Sequence, residues 1–155
     1  FTTLWNNLPQ KMRCSDIDSF KEQLHQKYKP PNIKFYSYGT KTGNGLITRL
    51  RVDRSYLNAH AYSIGLAQSP QCSCGAMQET TLHMLNLCPI HASGRRVLFD
   101  FVGQLVSPFT KFNHRQKMYT LLYGYKSDNK DYHYINIQIT LAVQNFLINT
   151  KRFVY

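Results

Sequence analysis

From residue 45 onward the apolar side chains recur with a helical period. Leu46, Ile47 and Leu50 form one stripe. Ser55 is placed to cap a short helix that turns Leu57, Ala61 and Ile64 inward and stops at Gly65. A longer helix near residues 92–106 puts Val97, Leu98, Phe101, Val102 and Leu105 on one face, with Arg96 and Asp100 as an i, i+4 pair on the other side. Asn113 caps a further helix with Met118, Leu121, Leu122 and Tyr125 inward. The longest helix covers roughly residues 131–152, where Ile135, Ile139, Ala142, Val143 and Phe146 recur at spacings of 4, 3, 1 and 3. Lys151 and Arg152 fall in its last turn, where cations suit the helix dipole.

The first third of the chain reads differently. Ser15 and Asp18 open a helix that places Phe20 and Leu24 on one face, and it ends near Pro30. Residues 30–45 hold Pro30, Pro31, Gly39, Gly43 and Gly45 and read as a linker or irregular loop. Phe35, Tyr36 and Tyr38 lie there between Lys34 and Lys41. Such rings either stack on unpaired bases or pin the loop to the core. The chain divides into residues 1–29, a linker at 30–45 and a helical domain at 46–155. The expected fold class is mainly α, a small helical domain with an irregular metal-binding loop.

Charge narrows the class of partner. The 155 residues carry 19 Lys and Arg against 8 Asp and Glu, a net +11. That excess favours a polyanionic partner, nucleic acid or an acidic membrane. It is uneven: residues 1–45 hold 7 basic and 3 acidic side chains, and residues 91–155 hold 9 and 3. Arg49, Arg51 and Arg54, with Arg95 and Arg96, flank the cysteine-rich stretch and are the candidate phosphate contacts. No apolar run approaches the roughly 18 residues that a membrane span needs, and the partner expected is RNA or DNA, with no membrane. The chain starts at Phe1 and reads as a fragment of a longer product.

The most specific chemistry lies at Cys72, Cys74, His83 and Cys88, spaced C-x-C-x8-H-x4-C. Three thiolates and one imidazole make a tetrahedral Zn2+ set with no open position, which is structural rather than catalytic zinc. Pro70 and Gly75 bracket a turn that lets the first two sulfurs converge. On an ideal α-helix His83 and Cys88 would diverge by about 140°. Pro89 pushes Cys88 out of helical conformation and lets it turn back, while Leu82 and Leu85 hold the ligand helix on the core. His91 is an alternative fourth ligand. His60 reads as a packed core histidine, and Cys14 as a free thiol.

At these residues the sequence resembles a known family. Leu46 to Cys88 carries a helix rich in Arg and Leu, an Asn-x-His step at Asn58 and His60, Ser69-Pro70-Gln71-Cys72, Glu79-Thr80, and His83-x4-Cys88-Pro89. It looks like the zinc-binding region that follows the reverse transcriptase in LINE-type, non-LTR retrotransposon proteins. Residues 4–20 resemble the end of the polymerase-associated part, and residues 138–153 the closing helix of these polyproteins. The resemblance implies zinc ligands at Cys72, Cys74, His83 and Cys88 and a nucleic-acid-facing role for Arg49 and Arg51. It also implies the remainder of the reverse-transcriptase polypeptide as a partner and an intracellular location, nuclear at least in part. Asp53-Arg54 departs from the Thr-Gly-His expected at that turn. No Asp-Asp pair follows a strand pattern, so the chain alone is not expected to polymerise nucleotides.

Overall fold

The structure, a computed structural model, describes residues 38–126 and 132–153, all within the unit Ile33–Tyr155. The Ser15-capped helix, Cys14, Phe35 and Tyr36 lie outside the described residues. Among the described residues there are five α-helices: α1 (Lys41–Arg51), α2 (Asn58–Ser63), α3 (Ala92–Leu105), α4 (His114–Tyr123) and α5 (His133–Asn149). A π-helical turn, His83–Leu87, and a 3-10 turn, Pro89–His91, join α2 to α3, and a second 3-10 turn, Ser107–Lys111, follows α3. No strand occurs among the described residues. The mainly α class expected from periodicity is observed.

Helix α5 is the axis, and α1, α3 and α4 all pack on it. Its buried arc is therefore wider than one apolar stripe. Ile139, Val143 and Leu147 are fully buried, but so are the polar Asn136, Thr140 and Gln144. Each fully buried aliphatic side chain contributes about 1.5–3 kcal/mol. The polar ones persist because each is hydrogen-bonded. Asn136 accepts from Tyr125 N at 2.7 Å and donates to Tyr125 O at 3.0 Å, which anchors the exit from α4. Gln144 Oε1 accepts from Thr40 N at 3.0 Å, and its Nε2 donates to Asn44 Oδ1 at 2.8 Å and to Tyr38 O at 3.2 Å.

That second network revises the end of the expected linker. Residues 41–45 are helical, the first turns of α1, with Thr40 Oγ1 accepting from Gly43 N at 3.0 Å. Glycine stands at position 43 because α1 lies on Gln144, and a Cβ there would collide with its amide. Tyr38 is pinned as well: its ring meets His133 edge-on at 6.0 Å and its hydroxyl lies 3.3 Å from His133 Nε2.

Other inward assignments shift. In α3, Leu98 and Val102 are buried, yet Val97 is 71 % exposed and Phe101 lies at the rim. The Ser107–Lys111 turn seats Phe109 against Phe99, ring centroids 5.4 Å apart, so the buried arc of α3 rotates toward Phe99 and Val106. Ile64 is exposed because α2 ends at Ser63. Ser55 Oγ accepts from Leu57 N at 3.5 Å, outside the helix it was expected to cap. Asn113 does cap α4, in a reciprocal box with Gln116. Helix α5 stops at Asn149, so Lys151 and Arg152 lie beyond its last turn. No helix among the described residues is long and apolar enough to cross a membrane.

Candidate metal centre

Two short pieces of chain build the centre. The first is the turn Cys72-Ser73-Cys74-Gly75-Ala76. Gly75 N donates to Cys72 O at 2.9 Å, and Cys72 N donates to Ala76 O at 3.0 Å. Gly75 sits at φ +92, a left-handed conformation that glycine adopts without a Cβ penalty. This tight loop is what permits a C-x-C spacing.

The second piece solves the five-residue separation of His83 and Cys88. The chain over His83–Leu87 widens into a π turn, and Cys88 N donates to His83 O at 2.7 Å. The i→i+5 bond returns Cys88 to the neighbourhood of His83, where an α-helical turn would carry it away. Cys88 itself has φ −59 and ψ 121, outside the helix and directly before Pro89. Met84 and Leu85 hold the turn on the core, with Leu82 half-buried beside them.

The ligand atoms of Cys72, Cys74, His83 and Cys88 all lie within 4.8 Å of one another. Around a tetrahedral zinc, with Zn–S near 2.3 Å and Zn–N near 2.0 Å, neighbouring donors lie about 3.5–3.8 Å apart. Cys72 Sγ and Cys88 Sγ are 3.7 Å apart, and Cys74 Sγ and His83 Nε2 are 3.3 Å apart. The three thiols are free rather than paired as disulfides. Burial first, then the neighbouring thiols, push the Cys72 thiol up to about 12, whereas the hydrogen bond from the Ala76 backbone holds Cys74 below the ordinary thiol value. Four convergent donors with free thiols at these separations fit a metal ion.

A buried ion pair holds this loop in place. Glu79 accepts from Arg152 Nε at 2.7 Å and from Nη2 at 2.5 Å, a bidentate pair. Its carboxylate also accepts from Asn58 N at 2.7 Å, at the start of α2. Asn58 Nδ2 donates to Gln71 O, Arg152 Nη2 donates to Asn58 Oδ1 at 3.0 Å, and Glu79 N donates to Pro70 O at 2.8 Å. Glu79 and Asn58 together thereby join α2, the loop before Cys72 and the chain after α5. Arg152 thus pairs with Glu79 rather than with the dipole of α5. The pairing spans 73 residues, and the one local signal was an isolated acid four residues before His83.

The other candidates fall into two groups. His91 is not among the converging ligands; its ring meets Phe146 edge-on at 6.4 Å. His60 is half-buried, edge-on to Tyr56 at 5.9 Å. Of the five arginines, Arg49, Arg54 and Arg96 are exposed, the last 4.0 Å from Asp100. Arg49 and Arg51, two residues apart on a helix, leave it about 200° apart. The Arg49 guanidinium lies over Tyr56 and that of Arg51 over Tyr123, each 5.6 Å from the ring centroid. Arg95 is half-buried, and its Nη1 is buried with no hydrogen-bond partner. Burial lowers its pKa. Comparison of the chain with protein-family models, with curated proteins and with solved structures finds no match in any of the three.

Proposed function

We propose that the chain is a zinc-stabilised nucleic-acid-binding module, the C-terminal part of a LINE-type reverse-transcriptase protein, with no polymerising chemistry of its own. The observation that carries the reading is the convergence of Cys72, Cys74, His83 and Cys88 at donor spacings that suit a tetrahedral ion. Four protein ligands leave no position for water or substrate, so zinc here holds the fold. Asp53, Glu79 and Asp100, the acids among the described residues, engage Thr81, Arg152 and Arg96 in turn. The chain carries a net +11, and exposed Arg49 and Arg54, together with Arg96 from its solvent-screened pair with Asp100, can meet phosphates.

The test is affinity for RNA and DNA strands across a salt series. Contact with about four phosphates of a single strand gives log K falling with log salt at a slope near −3. Replacing Arg49, Arg54 and Arg96 together by Ala should make the slope shallower by about 2. Undetectable affinity for both nucleic acids at physiological salt overturns the reading.

One observation favours a second reading, a protein-interaction module of the same polyprotein. An open cleft of about 790 Å³ lies between α3 and α5, with Ile90, Val97, Phe101 and Leu141 on its walls. A cleft of this kind accepts an amphipathic helix. On that reading the arginine changes leave function intact, and Val97→Asp abolishes capture of the adjoining part of the reverse-transcriptase polypeptide.

A further inference from the structure

Helix α4 carries a stack of side chains that the metal centre does not use. Tyr119 and Tyr123, one turn apart, lie ring on ring, with centroids 4.8 Å apart and planes inclined by 27°. The lower ring is fixed. Tyr123 hydroxyl donates to Arg51 O at 3.0 Å, Arg51 Nε donates to Leu122 O at 2.6 Å, and the Arg51 guanidinium lies 5.6 Å from the Tyr123 ring centroid. The upper ring is partly open to solvent. Tyr119 is 42 % exposed, and Tyr123 is its only ring contact among the described residues. Arg115, a further turn back on α4, is exposed and forms no ion pair among the described residues.

We propose that Tyr119 is a stacking platform for an unpaired nucleotide base, held ready by Tyr123 and Arg51, with Arg115 placed for the adjacent phosphate. The inference rests on the nucleic-acid reading above and names the strand it prefers. An i, i+4 aromatic pair adds only a few tenths of a kcal/mol to a helix, so helix stability alone gives little reason to leave a large ring in water. Every base has a π face, so such a platform takes RNA or DNA of any sequence provided the bases are unpaired. A clamped ring loses little freedom on binding, which favours the bound state. The net +11 chain supplies the attraction to a polyanion that an uncharged aromatic ligand would lack.

The experiment compares a labelled polyuridine strand with an RNA duplex, each titrated with the whole chain and its variants. Tyr119→Ala should weaken strand binding by roughly 5-fold to 100-fold and leave duplex binding unchanged. Its salt slope should equal that of the parent, because no charge is removed. Tyr119→Phe should keep the parent affinity, and Arg115→Ala should make the strand slope shallower by about 0.7. Strand affinity of Tyr119→Ala equal to the parent's, or an equal loss for strand and duplex, overturns the platform while the nucleic-acid reading stands. A parent chain that binds neither probe overturns both.

Discussion

Glu79 and Arg152 meet across 73 residues in a bidentate pair, with the Glu79 side chain only 5 % exposed. The pair also carries Asn58 and, through Gln71, the approach to Cys72. Removing Arg152 strands the buried Glu79 carboxylate, at a cost of up to about 3–5 kcal/mol. Arg152→Ala should therefore unfold at a much lower denaturant midpoint than the parent. Glu79→Ala leaves a guanidinium that is 28 % exposed and should lose less, and the double variant less than the sum, in a double-mutant cycle measured by circular dichroism. Additive losses would show that the two side chains do not act together.

The same pair sets an acid limit. Burial raises the Glu79 pKa, but the Arg152 hydrogen bonds, the Asn58 backbone N–H and the Arg152 charge outweigh it and hold the folded value below the ordinary 4.5. A depressed folded pKa gives stability that is fully present above the unfolded value and is lost as pH falls through the folded one. Glu79→Gln should remove that part of the pH dependence. Its thermal midpoint should fall less steeply than the parent's below about pH 4.5, and parallel curves for the two proteins would contradict the assignment.

Much of this was legible from residue types. Leu46, Leu98, Leu121 and Ile139 mark α1, α3, α4 and α5 through their periods, and the four Cys and His side chains that converge declare themselves by spacing. What was hidden depends on distant partners. Gly43 reads as a loop former until Gln144, about a hundred residues later, is seen to need its missing Cβ. Val97 reads as core until the turn carrying Phe109 rotates the buried arc of α3. The π turn at His83–Leu87 had one local signal, a five-residue separation that an α-helix cannot serve. Pro89 indicated that the chain must leave the helix, and the widened turn is how it does so.

Metal content tests the central claim most directly. The whole chain, purified without chelator and analysed by atomic emission, should carry about one zinc per molecule. Cys88→Ser should carry far less and lose its sharp thermal transition, while Cys14→Ser and His91→Ala should keep both. A folded, metal-free parent chain, or a Cys88→Ser variant that retains its zinc, would contradict a centre built from Cys72, Cys74, His83 and Cys88.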